Sequence, residues 1–474
     1  MARILVLDLG TTYFKIALFG RDGQLQHVRR VLPPIHGDPG GFLELDARRF
    51  AEVLAQGIAQ LGERVGSLAD VEAVTFATQT NSFVLLDAQD QPLTRLILWS
   101  DRRAADREAE LIRRTGVPAF AATTGIPDVN HRFMIAKLLW LAHHRPKIWQ
   151  RMSRLCLVSD YLTLLLTDRH VTEAGAAGLT GLVKIQPCQW WPEMLGQLGI
   201  PPEALPEIVR AGTDLGTISP QAASRFHLPE GCRCVVGCLD QYAGAIGAGN
   251  VRPGMVSETT GTVLATVRCA DQLAAGLGST VFQGPGFAKD RYFRMVFGDV
   301  SARYLDWYRQ QLPDRPDFDQ LTALAAKVEP GAEGLRLRSN ARLTSAQDVF
   351  AGMAPRHSRG HAVRCIMEAV AFALADQVAA LCGQSPPEEI RSAGGAARND
   401  LWLQIKADVL GVPARATECE EPTSLGAAIL AEASLAGADV ASVAGRWVRL
   451  KTPHLSDPQQ HRRYRSMRNS GVKV

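Results

Sequence analysis

Two short turns of the same chemistry, 250 residues apart from Asp8 to Glu258, constrain this chain more than any other feature. Asp8-Leu9-Gly10-Thr11-Thr12 lies between the apolar runs Ile4-Leu5-Val6-Leu7 and Phe14-Lys15-Ile16-Ala17-Leu18-Phe19. Glu258-Thr259-Thr260-Gly261-Thr262 lies between Gly254-Met255-Val256 and Val263-Leu264-Ala265-Thr266-Val267. Each pattern predicts a β-hairpin whose tip offers a glycine, free backbone N–H groups and hydroxyls, a combination that holds an anion against the backbone. One such tip is an ordinary hairpin turn. Two of them, each opening one half of a 474-residue chain, point to a duplicated domain closing on one phosphate chain.

The length sets a prior of about three domains, with two large ones equally acceptable. The chain is 46% hydrophobic and 21% charged, enough to bury full-sized cores and unlike a disordered segment. Lys and Arg exceed Asp and Glu by only four, and the arginines are scattered. The densest cluster, His461-Arg462-Arg463-Tyr464-Arg465, reads as a solvated helix face or tail, and no stripe suited to nucleic acid is present. Asp8 interrupts the one early apolar run, so no signal peptide is expected. No run approaches the ~20 apolar residues of a membrane span. The expectation is a soluble, cytoplasmic chain without membrane or nucleic-acid partners.

Nine cysteines are too few and too irregular for a disulfide scaffold of this length. Cys232, Cys234 and Cys238 cluster, but their spacing is not a common zinc pattern, and period two is what a strand supplies unaided. They read as reduced core thiols.

The first eighty residues read as strand, turn, strand, strand, helix, strand. The third strand is Leu25–Val31, the helix runs from Asp46, as N-cap, to about Leu61, and a buried strand covers Val71–Ala77. Later, a strand over Arg233–Leu239 leads into a small-residue helix over Tyr242–Gly249. The second half repeats this logic, with hairpin strands at 254–267, strands at 281–298, helices at 301–311 and His361–Leu381, and a strand unit at Glu389–Gly395. Helices over Leu401–Leu410 and Ser424–Ala436 follow. Hairpins followed by alternating helices and strands argue for an α/β fold with mixed sheets flanked by helices. The break between halves falls at Gly249-Asn250-Val251-Arg252-Pro253-Gly254, which divides the chain into residues 1–249 and 250–474.

Asp240 ends a buried strand and precedes a helix of Ala and Gly. As an N-cap it is unremarkable. A carboxylate there also faces the crevice of an open α/β sheet, where ligands gather. A helix N-terminus is expected to keep it ionised, as a base requires, so that it accepts a hydroxyl proton while phosphate leaves ATP.

Seven motifs then appear in one order. They are Asp8-x-Gly-Thr-Thr, Gln79 before Phe83–Asp87, Leu98-Trp99-Ser100-Asp101-Arg102-Arg103, Ala136-Lys137-Leu138-Leu139-Trp140-Leu141, Gly237-Cys238-Leu239-Asp240-Gln241, Thr260-Gly261-Thr262 and Gly394-Gly395-Ala396-Ala397-Arg398-Asn399. Together they resemble the FGGY carbohydrate kinases of the sugar-kinase/actin/chaperone superfold, over nearly the whole chain. His361–Glu368 also looks like the family's second signature, with Ala362 where a larger aliphatic residue is usual. The resemblance implies two ribonuclease H-like domains with a cleft between them. The first carries the sugar site, one phosphate loop and the catalytic Asp, and the second holds the nucleotide.

Position by position, the resemblance makes Asp240 the catalytic base and Asp8 the carboxylate that helps hold Mg2+, usually through water. Thr11, Thr12 and Lys15 match the first phosphate loop, and Gly261 with Thr262 the second. Gly395, Ala396 and Asn399 match the adenosine-side motif. For Asn399 alone, helix N-capping is an equal reading. Gln79, Thr80, Asn81 and Gln241 would face the substrate, and Asp101 would either bind hydroxyls or brace its loop.

Gln79-Thr80-Asn81-Ser82 stands where xylulose kinases carry Gln-Met-His-Gly and glycerol kinases Gln-Arg-Glu-Thr. The neutral hydrogen-bonding groups there suggest a pentulose such as xylulose or ribulose, and the missing Arg–Glu clamp argues against glycerol. Another polyol, a hexulose or a sugar acid is the alternative. The implied partners are a small sugar and ATP, with a homodimer left open. Two rivals of other classes are an ATP-driven switch and a non-catalytic regulator. The first lacks a segment for an extra domain, and Asp240 argues against the second. A P-loop enzyme is excluded, since no Gly-x-x-x-x-Gly-Lys-Ser/Thr occurs.

Overall fold

The computed structural model describes residues 2–338, 341–383 and 385–469. The chain divides into two compact units, the first comprising 1–247, 271–293 and 423–447, and the second 248–270, 294–422 and 448–474. This differs from a division into 1–249 and 250–474, because two later segments return to the first unit. Contacts made by 423–447 explain its return. Gly426 lies so close to helix residues 243–247 that a Cβ would sit 1.8 Å from the Ala243 carbonyl. Arg21 grips Glu432 through two bonds of 2.7 and 3.0 Å. Trp447 packs on Gly23, which also has a φ of +82°.

In the first unit the predicted hairpin forms as β1 (Arg3–Leu9) and β2 (Phe14–Gly20), extended by β3 (Leu25–Val31). Both hairpin strands are almost wholly buried, as their continuous apolar runs require. Helix α1 (Ala47–Val65) begins where expected, with Asp46 Oδ1 accepting the Arg48 and Arg49 N–H groups at 3.0 and 3.1 Å. It packs its apolar face through Phe50, Leu54, Ile58 and Leu61. Strand β4 (Val71–Thr78) lies parallel to β1 on the side away from β2.

The expected strand over Arg233–Leu239 is broken in two, β5 (Arg233–Val235) and β6 (Cys238–Leu239), both parallel to β4. Gly237 is the reason: a Cβ there would sit 1.6 Å from the Phe76 carbonyl oxygen. Cys232, Cys234 and Cys238 are buried free thiols, and burial pushes Cys232 up to about 12.

The second unit repeats the plan. Strands β7 (Val256–Thr260) and β8 (Leu264–Ala270) form the second hairpin, and β9 (Ile390–Ala393) runs parallel to β7 with β10 (Ala414–Ala416) beyond it. Thus β1–β2–β4 and β7–β8–β9 are the same three-strand arrangement. Helix α2 (Arg359–Cys382) precedes β9 and helix α3 (Asp400–Leu410) follows it. Helix α2 is long and apolar enough, by length and composition, to cross a membrane, which corrects the expectation that no segment would be. It is a core helix, most of it buried, and its Arg364 and Glu368 pair with each other and with Tyr464. Tyr464 is the buried member of the His461–Arg465 cluster, whose Arg462, Arg463 and Arg465 are exposed.

Candidate functional site

Sheet register brings the first-unit carboxylates to one end. β4 is flanked by β1 and β6, with Asp8 opposite Ala77 on one side and Cys238 opposite Ala77 on the other. Leu9 and Leu239 both stand opposite Thr78. Asp8 therefore emerges on one flank of the middle strand and Asp240, just past Leu239, on the other. Asp240 is the first residue of the helix Asp240–Gly247, and its Oδ1 accepts the Gln241 N–H at 2.7 Å.

Burial, and then the Asp8 carboxylate, push Asp240 up to about 7, while the Gln241 N–H and the Lys15 ammonium pull it back. The helix N-terminus alone was expected to keep it ionised. It does not, because desolvation and a like charge outweigh one backbone bond. Asp8 is itself nearly buried, and Lys15, its partner across the ladder, reaches its Oδ2 at 3.3 Å. Beyond them the first tip presents Thr11, half-buried, and Thr12, exposed.

The loop after β4 carries the residues expected at the sugar. Gln79 is buried and accepts the Ser82 hydroxyl at 3.1 Å, while Ser82 Oγ accepts the Trp99 N–H at 2.9 Å. Thr80 donates its hydroxyl to the Ala176 carbonyl at 2.8 Å. Asn81 adopts φ +61° and spends its amide on backbone, donating to Leu179 O at 3.0 Å and accepting Met134 N–H at 2.8 Å. It acts as a brace rather than an open hydrogen-bonding group. Asp101 is fully buried and accepts from Leu43 N at 2.6 Å, Arg103 N at 2.9 Å and the Arg103 guanidinium at 2.8 Å. Of the two roles expected for it, the structure shows the loop brace. Gln241 is half-buried beside Asp240.

The second unit gathers the nucleotide-side residues. At the second tip Gly261 is half-buried and Thr262 exposed, and Ser301 Oγ donates to the Thr262 carbonyl at 2.7 Å. Gly394, with φ +82°, brings the loop after β9 against that tip, where a Cβ would lie 3.1 Å from Thr259 Cγ2. Gly395 is exposed with open space where a Cβ would be, and Ala396 is buried. Asn399 caps α3 by accepting Trp402 N–H at 2.9 Å, and its Nδ2 donates to Thr322 Oγ1 at 2.6 Å. Its side chain is thus engaged in the capping role.

Several buried charged groups among the described residues had no role assigned from the sequence, among them Lys137, present there only within a motif, Lys406 and Glu173. Lys137, in the helix Met134–His144, donates to the Trp99 and Arg132 carbonyls, both at 2.8 Å, and burial pulls it down to about 7. Lys406, on α3, donates to Glu258 Oε1 at 2.6 Å and to Thr260 Oγ1 at 3.1 Å, beneath the second tip. Glu173 caps the helix Ala174–Gly178 and also accepts the Leu239 N–H at 3.3 Å. Lys137 carried a signal, a single cation in an otherwise apolar helical run. Glu173 carried one too, an acid directly before Ala-Gly-Ala-Ala-Gly.

Residues 3–247 match the model for the FGGY family of carbohydrate kinases, N-terminal domain, and residues 317–435 that for the C-terminal domain. The chain is 26% identical to a xylulose kinase of Bacillus subtilis, over 91% of this chain and 88% of that protein. It is 32% identical to a glycerol kinase of Dechloromonas aromatica, over 90% and 88%. In fold it matches a solved gluconate kinase from Lactobacillus acidophilus with a TM-score of 0.89, covering 100% of this chain and 99% of that one at 22% identity.

Proposed function

Since the chain belongs to the FGGY family of carbohydrate kinases, and so is a phosphotransferase that uses ATP and a sugar, we propose that its acceptor is a pentulose phosphorylated at a terminal hydroxyl. The observation that carries the catalytic part is the pair of carboxylates, Asp8 and Asp240, at the same end of the first sheet on either side of β4. Asp240 takes the proton of the attacking hydroxyl, the hydroxyl oxygen bonds to the γ-phosphorus, and the bond from that phosphorus to the bridging oxygen breaks to release ADP. Lys15, beside Asp8, supplies positive charge where the phosphates lie. The nearly buried Asp8 carboxylate fits Mg2+, which is commonly held by one or two carboxylates together with substrate phosphates. Asp8 would hold it, and the ion would offset charge on the phosphates. Thr11 and Thr12 grip phosphate from the first unit. Gly261, Thr262, Gly395 and Ala396 hold the nucleotide in the second.

Support for an uncharged acceptor comes from Gln79 and Gln241, whose neutral amides offer hydrogen bonds and no cation for a carboxylate. One observation favours a second reading, an acidic sugar: Arg132 is exposed and its guanidinium lies 6.0 Å from the Trp99 ring. ADP release measured across ketoses, polyols and sugar acids decides between them. A pentulose giving the highest kcat/KM supports the proposal. A sugar acid or glycerol preferred tenfold over every ketose overturns it.

A further inference from the structure

Between the substrate-side loop and Asp240 lies a five-residue helix, Ala174–Gly178, made entirely of alanine and glycine and wholly buried. Small residues are required there. A Cβ at Gly175 would fall 2.7 Å from the Tyr242 ring, and one at Gly178 would fall 3.1 Å from Pro285. Such a helix has no side chains with which to anchor itself, so its position depends on what grips its backbone. Thr80 grips the Ala176 carbonyl, and Asn81 grips the Leu179 carbonyl just past the last turn. At the other end, the buried Glu173 carboxylate accepts Gly175 N–H at 2.6 Å and Ala176 N–H at 2.8 Å. Its Oε2 also accepts the Leu239 N–H at 3.3 Å. Leu239 is the last residue before Asp240.

We infer that Glu173 is a positioning residue that sets Asp240 against the bound acceptor. One carboxylate ties together the backbone leading into the catalytic Asp and the helix that Thr80 and Asn81 fasten to the acceptor loop. Two residues first read as sugar ligands thereby gain another function: they connect loop 79–82, through an alanine–glycine strut, to the strand end bearing the base. The N–H groups on Glu173 come from two chain segments, so a cap alone does not explain all three bonds. Displacement of a base by about 1 Å is enough to cost on the order of 10²-fold in rate.

The inference rests on Asp240 being the base, so Asp240→Asn is assayed in parallel. Glu173→Gln is expected to lower kcat at least tenfold while leaving the KM for ATP and for the best acceptor within twofold. Glu173→Asp keeps a carboxylate that caps the helix but shortens the arm to Leu239. It is expected to melt within a few degrees of wild type and still show reduced kcat. Either variant retaining full kcat overturns the inference, as does a fall in kcat matched by equal rises in both KM values and a lost melting transition. If Asp240→Asn is itself near normal, the base assignment fails first. If only Asp240→Asn is impaired, the positioning role alone is wrong.

Discussion

Lys406→Met is the sharpest test of how the second tip is supported. Lys406 Nζ and Glu258 Oε1 are 2.6 Å apart with both side chains fully buried, and Thr260 closes the triad by donating its hydroxyl to Glu258 Oε2 at 2.6 Å. Methionine fills most of the lysine stem but strands the Glu258 carboxylate without its cation. Removing one partner of a buried pair costs about 3–5 kcal/mol, far above the roughly 0–1 kcal/mol of an exposed pair. The double change Glu258→Gln with Lys406→Met removes both charges and leaves an amide oxygen to accept the Thr260 hydroxyl. Replacing a buried pair by neutral groups of similar volume is often close to neutral, so the double variant is expected within about 2 kcal/mol of wild type. Urea unfolding at constant m reads both values. A single variant that costs under about 1 kcal/mol, or a double variant as destabilised as the two singles summed, would refute the reasoning.

With Asp240 near 7, its proton is held below that pH and lost above it, so kcat/KM rises with pH. About nine-tenths of the base is blocked at pH 6 and about one-tenth at pH 8; an acid limb centred near 4 contradicts this. Thr12→Val and Thr262→Val each raise the KM for ATP by an amount equivalent to ~1–3 kcal/mol, and a change confined to the sugar KM would contradict the two-tip reading. Gly237→Ala destabilises strongly, because its Cβ has no room beside the Phe76 carbonyl; calorimetry showing an unchanged melting temperature would count against that close approach.

The sequence is legible where structure is local. The hairpins at Asp8 and Thr260, the Asp46 cap and the strand Leu25–Val31 follow from short patterns whose partners lie a few residues away. It is silent where partners are distant. Nothing near Asn81 reveals that Leu179 and Met134 claim its amide, and nothing near Asp101 reveals the Leu43 N–H. The break at Gly237 depends on Phe76 across the sheet. The ionisation of Asp240 depends on its burial and then on Asp8, which only the register of β1, β4 and β6 brings to the same sheet end. Residues 423–447 return to the first unit through Gly426 and Glu432, whose roles only the fold exposes.

Asp240→Asn tests the central claim most directly. The amide keeps the shape and can still accept the Gln241 N–H, but cannot take a proton. With the best acceptor and saturating ATP, turnover is expected to fall by a factor on the order of 10² or more, while nucleotide binding, titrated separately, is unchanged. Near-normal turnover by this variant would contradict the assignment of Asp240 as the base.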